Sequence, residues 1–126
     1  MKFFKNKVLL YSLLETWIGR KKKLVRDKIP EQLAEKKKHL KFFEVDDEQY
    51  LSLLKRKLVE EVNEVIDALE NSNEEHQQEE IGDVLEVLDA MMHFKKFTKE
   101  EVLKKKEEKR LKKGGFYKKV ILHEDS

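Results

Sequence analysis

The chain has 126 residues, 43% of them charged and 39% hydrophobic, with 28 Lys+Arg set against 26 Asp+Glu. That length supports one domain with a modest core, and with the two signs nearly balanced the high charge does not by itself mean a polyanion-binding protein. The absence of Cys excludes disulfides and thiolate metal sites, while one Pro and four Gly disfavour a β-sandwich or any loop-rich fold.

Residues 6–19 read as a short amphipathic helix, part of an N-terminal extension over 1–21 that precedes a single main domain over 22–126. Its apolar stretch is broken by Ser12, Glu15 and Thr16, too short and too polar to span a bilayer. No small-residue cleavage site follows, which disfavours secretion, and the expected location is cytoplasmic. Pro30 predicts the first turn of a second short helix, through about Lys38. Residues 39–45, His-Leu-Lys-Phe-Phe-Glu-Val, predict an extended segment or strand. Asp46 or Asp47 then caps a long helix through about Glu70. Its Leu51, Leu54, Leu58, Val62, Val65 and Leu69 step by three and four, which makes an apolar stripe.

Residues 71–73 supply a turn, with Ser72 or Asn73 as the next cap. A second long helix runs to about Phe97, with Ile81, Val84, Leu85, Val87, Leu88, Met91 and Met92 inward. Thr98 and Glu101 form a capping box for a third helix, which ends at Gly114-Gly115 in an expected left-handed cap. Residues 116–122 predict a short terminal strand or a docking tail. The fold class is therefore all-α: an antiparallel helical bundle, built as a hairpin plus a third helix, with minor short β segments. The broad apolar surface of so small a bundle predicts a homo-oligomer.

The chemistry concentrates in two acidic motifs, Glu60-Glu61-Val62-Asn63-Glu64 and Glu80-Ile81-Gly82-Asp83. Each holds carboxylates three residues apart, which project from nearly the same side of a helix. Two such helices lying antiparallel bring Glu61, Glu64, Glu80 and Asp83 toward one point. Four anions there call for a hard divalent cation, Mg²⁺ or Mn²⁺ rather than zinc. On the helical wheel Glu61 and Glu64 lie on one flank of the stripe, and Glu60 points nearly opposite and is expected to be solvated or to support its neighbours. Glu80 falls inside the apolar arc of its helix, where a carboxylate must be paired, protonated or metal-bound. Asp83 lies at the edge of that arc. In a chain this rich in charge, the competing reading is an acidic solvent face.

The pattern Glu-Glu-x-x-Glu followed by Glu-x-x-Asp resembles the signature of the MazG-like, all-α nucleoside triphosphate pyrophosphohydrolases. Lys23-Leu24-Val25-Arg26-Asp27-Lys28-Ile29-Pro30 resembles the opening of one branch, described as phosphoribosyl-ATP pyrophosphohydrolase-like or house-cleaning. Residues 82–90 and Lys109-Arg110 with Gly114-Gly115-Phe116 resemble the same branch, so the likeness runs over about 22–122. It implies Mg²⁺ ligation by Glu61, Glu64, Glu80 and Asp83. It also implies cleavage between the α- and β-phosphates of a nucleoside triphosphate, giving the monophosphate and pyrophosphate. Glu61 or Glu64 is the candidate to orient or deprotonate the water, with Glu60 as a helper. Arg26, Lys28 and Lys57, with Lys109, Arg110 and Lys113 from the third helix or a neighbouring subunit, are the candidate phosphate-binding residues.

Two alternatives stand beside this reading: hydrolysis of phosphoribosyl-ATP in histidine biosynthesis, and a helical regulatory module without turnover. Nucleic-acid and membrane partners are not expected, because the Lys-rich stretches are balanced by acids and match no reader motif. Trp17, Phe42, Phe43, Tyr50, Phe94 and Phe116 read as core rather than base-stacking residues. His39, His76, His93 and His123 show no paired metal spacing and receive no role.

Overall fold

A computed structural model of the chain describes residues 22–37 and 39–125. The helix expected at 6–19, the 1–21 extension and Trp17 lie outside the described residues. Within them are four helices: α1 (Ile29–Leu33), α2 (Asp47–Asn71), α3 (Glu74–Lys95) and α4 (Lys99–Lys113). The fold is all-α, as expected. The described residues fall into two compact units, one ending at Met91 and one starting at Met92.

The first unit is organised by the α2–α3 hairpin. Asp46 has extended backbone, and its Oδ1 accepts from the Gln49 amide at 2.8 Å, which satisfies one of the orphan donors at the start of α2. At the other end Ser72 N–H donates to the Ala68 carbonyl at 2.9 Å. Asn73 Oδ1 then accepts from the His76 amide at 2.9 Å and opens α3. Part-buried Gln77 stitches the turn, its Nε2 donating to the carbonyls of Ala68 (3.2 Å) and Ser72 (3.0 Å). So short a connection leaves the two helices antiparallel neighbours.

The buried positions of α2 are Leu54, Glu61 and Ala68, and those of α3 are Glu80 and Val87. Both sets step by seven, the spacing of a seam between two helices. The expected stripe is only partly inward: Leu51, Leu58 and Val65 are half-buried, whereas Val62 and Leu69 are exposed. On α3, Ile81, Leu85 and Leu88 are likewise exposed, contrary to expectation. The apolar arcs are wider than one partner helix covers, so each helix buries its seam and leaves its flank open.

Four further expectations are corrected. The helix at Pro30 ends at Leu33 and relaxes into turns through Lys36, because five residues with no side-chain cap give little cooperative support. No strand forms at 39–45 or 116–122, since no edge among the described residues offers a ladder to pair with. Phe42 and Phe43, expected in the core, are exposed. In the second unit, Phe116 is fully exposed, and Val120, Ile121 and Leu122 are exposed with it.

The second unit begins in the last turn of α3, which stops at Lys95 rather than Phe97. Lys96 adopts a positive φ of 61°, its N–H donating to the His93 carbonyl (3.1 Å) while Phe97 N–H reaches the Met92 carbonyl (2.9 Å). This pair of bonds is the Schellman closure, made here by a lysine. The Thr98–Glu101 capping box forms as expected and starts α4. Gly114 ends it with φ 83° but ψ −179°, an extended rather than left-handed helical ψ, in a region open to glycine alone.

Candidate active site

Carboxylate oxygens of Glu61, Glu64, Glu80 and Asp83 all lie within 4.8 Å of one another. The i, i+3 spacing sets each pair on one side of its helix, and the hairpin register brings the pairs level. Glu61 and Glu80 are buried, whereas Glu64 is exposed and Asp83 half-buried. Glu61 therefore sits on the buried seam itself, not on its flank. Oε2 of Glu61 and Oε2 of Glu80 are buried without a hydrogen-bond partner. A buried carboxylate oxygen left unsatisfied is costly.

Burial raises the Glu61 pKa above its ordinary value; the charge of Glu64 and a hydrogen bond with it add to the rise, against a smaller opposing pull from Lys57. Glu64 is raised as well, first by desolvation and then by hydrogen bonding with Glu80. Although Glu64 as a whole is exposed, its carboxyl is crowded by protein atoms and by its acidic neighbours. Carboxylates this close do not all ionise freely; they hold a proton or recruit a positive charge.

Three side-chain cations already approach. Lys57 Nζ lies 3.5 Å from Glu60 Oε1 and 3.4 Å from Glu61 Oε1, Lys23 Nζ lies 3.4 Å from Glu60 Oε1, and Arg26 Nη2 donates to Asp83 Oδ1 at 2.6 Å. Of the two expectations for Glu60, solvated or supporting its neighbours, the first does not hold: its side chain is 18% exposed and bridges two lysines. The wheel omits Lys23 because no periodicity places an irregular segment against a helix.

Of the other expected phosphate contacts, Lys28 is exposed, and its ammonium joins none of the ion pairs found among the described residues. Lys109, Arg110 and Lys113 belong to the second unit, where Lys109 and Lys113 line a shallow groove on α4 and Arg110 lies 4.0 Å from Glu107.

A second shallow groove runs beside the acids, lined by Glu60, Asn63, Glu64, Asp67, His76 and Glu80. His76 Nε2 is 3.4 Å from Glu80 Oε1. The sequence reading missed His76, Asn63 and Asp67, yet a signal was present. His76 precedes Glu80 by four and Asp67 follows Glu64 by three, so both extend the acidic faces along their helices.

Four convergent carboxylates, two of them with an orphaned buried oxygen, fit a hard divalent cation: all donors are oxygen, and the charge they lack is positive. Residues 49–114, just over half the chain, match the MazG nucleotide pyrophosphohydrolase domain. The chain belongs to the MazG family. The MazG match takes in all four acids, Lys57 and His76, and it leaves out Lys23, Arg26 and Lys28. No curated protein and no solved structure matches the chain. Among the described residues, no helix of this MazG protein is long and apolar enough to cross a membrane.

Proposed function

We propose that the protein is a Mg²⁺-dependent nucleoside triphosphate pyrophosphohydrolase of the house-cleaning type, with Mn²⁺ as an alternative ion. It would cleave between the α- and β-phosphates, releasing a nucleoside monophosphate and pyrophosphate. The observation that carries this reading is the orphaned, buried oxygen on each of Glu61 and Glu80 inside a four-carboxylate cluster. Glu61, Glu64, Glu80 and Asp83 would hold the ion, which when bound neutralises phosphate charge and acidifies water.

The remaining chemistry falls to the chain's own groups. Glu64 is the exposed member of the set and borders the groove, so it is the residue we assign to orient the attacking water and take its proton. Glu61 is too buried to meet bulk water and serves as a ligand. Lys57, beside Glu60 and Glu61, would turn its ammonium to a phosphate oxygen. Glu60 holds Lys57 and Lys23 in position between turnovers. The water oxygen bonds to phosphorus, and the bridging oxygen departs with its electron pair.

We also propose that copies of the chain associate. Ile66, Leu69, Ile81 and Leu85 on the hairpin are each between 46% and 58% exposed, and contiguous exposed apolar surface marks a face for association. A cytoplasmic location completes the proposal.

The deciding assay supplies Mg²⁺ and a panel of canonical and modified nucleotides together with phosphoribosyl-ATP. Release of pyrophosphate, not orthophosphate, from at least one nucleoside triphosphate supports the proposal. Turnover of phosphoribosyl-ATP alone points to the histidine-pathway reaction, and inactivity on the whole panel points to a module without catalysis.

A further inference from the structure

The segment preceding α1 is irregular from residue 22 to the turn at 27–28, yet it is fastened to both helices of the hairpin. Lys23 binds Glu60 on α2, and Arg26, three residues on, binds Asp83 on α3. Leu24 between them is half-buried against the unit. The Arg26 contact, at 2.6 Å, is the shortest ion pair among the described residues, and it falls on one of the four convergent acids. Both cations lie outside the stretch that matches the MazG domain.

A guanidinium and a divalent ion on Asp83 repel each other and share one carboxylate, whose Oδ1 the guanidinium already holds. The guanidinium is tethered, so it meets the carboxylate at a high effective concentration. Any ion binding the cluster sees its affinity reduced by the fraction of time that Asp83 is engaged. A triphosphate, like a carboxylate, presents paired oxygens that the guanidinium fork can engage, and it carries more negative charge. Drawing Arg26 onto a polyphosphate therefore frees Asp83, and each ligand favours the other.

We propose that Arg26 is a tethered competitor for Asp83, and that divalent cation and polyphosphate bind cooperatively because both move Arg26 off that acid, with Lys23 following from Glu60. This inference rests on the reading of the four acids as a cation site, and it adds a reason why ion and substrate arrive together.

The test uses manganese(II), followed by electron paramagnetic resonance, and inorganic tripolyphosphate as the probes, on the full chain and its Arg26→Ala and Arg26→Lys variants. Arg26 is exposed, so neither change threatens the fold. With both partners partly solvated, removing the guanidinium should tighten manganese binding in the absence of polyphosphate by about two- to fivefold. Arg26→Lys should fall between. Tripolyphosphate should tighten manganese binding to the full chain by a larger factor than to Arg26→Ala. Hydrogen exchange over residues 22–28 should accelerate on adding manganese to the full chain and be fast throughout in Arg26→Ala. If the unaltered chain binds manganese but Arg26→Ala binds it equally or more weakly, the competition is overturned and the cation site stands. If the unaltered chain binds no manganese, with or without tripolyphosphate, the cation site falls and the competition with it.

Discussion

Glu61 on α2 and Glu80 on α3 offer carboxylate oxygens within 4.8 Å of each other, and each residue keeps one oxygen buried without a hydrogen-bond partner. The two residues occupy the same seam as Leu54, Ala68 and Val87. The hairpin therefore places charge where helix pairing ordinarily places Leu or Ile, and it does so at the middle of its own contact. A seam built for stability alone would not be arranged this way.

Neutral isosteres should separate the two consequences. Glu80→Gln and Glu64→Gln are expected to weaken cation binding by at least ~100-fold, since even an outer partner of a metal ligand is worth 10–100-fold. Pyrophosphate release should be lost with helix content unchanged by circular dichroism. Without added cation, Glu80→Gln should unfold later than the unaltered chain, by about 1 kcal/mol or more, because one of four crowded carboxyl groups has been replaced by an amide. An earlier unfolding would mean that the Glu80 carboxylate is satisfied by protein contacts alone.

The acids also set a pH dependence. Glu61 and Glu64 have folded pKa values raised above the unfolded value of about 4.3. Above that value the unfolded chain has shed these protons while the folded chain still holds them, so the folded state binds more protons. Their contribution to stability is therefore greatest at or below the unfolded pKa, and it falls as pH rises toward the raised folded values. Cation-free melting curves should show this fall, and Glu61→Gln should reduce it. Saturating Mg²⁺ should offset it on the alkaline side, where the ligands are deprotonated. A fall of the same size in Glu61→Gln would remove Glu61 as its source.

Charge on the open flank of the hairpin should dissociate the proposed assembly. Ile66→Glu and Leu85→Glu are expected to move the mass measured by light scattering after gel filtration to that of one chain. An exposed apolar residue that touches no second copy would leave the mass unaltered.

The α2 cap offers a local check on the fold. Asp46→Ala removes the acceptor for the Gln49 amide and should destabilise the first unit by about 1 kcal/mol. That corresponds to a midpoint lowered by roughly 4–8 °C for a unit of this size. No change would place the start of α2 elsewhere.

Local signals carried the helices. Asp46, Asn73 and the Thr98–Glu101 pair mark three starts through side-chain chemistry confined to four residues, so they are readable without knowing the fold. The convergence of the four acids was readable for the same reason, as two i, i+3 pairs joined by a short turn. The partners of Glu60 were not legible, because the wheel knows only its own helix and Lys23 reaches it across 37 residues of sequence. Ile81 and Leu85 were placed inward because apolar character marks a surface that needs covering, not which molecule covers it. Lys96 takes a left-handed backbone without the glycine that would have announced the end of α3.

Leu54, Ala68 and Val87 are the only hydrophobic side chains buried among the described residues. If the open flank is covered by further copies, much of the folding free energy is intermolecular, and dilution becomes a denaturant. Such a protein has no single melting temperature. Its midpoint would climb with every tenfold rise in protomer concentration.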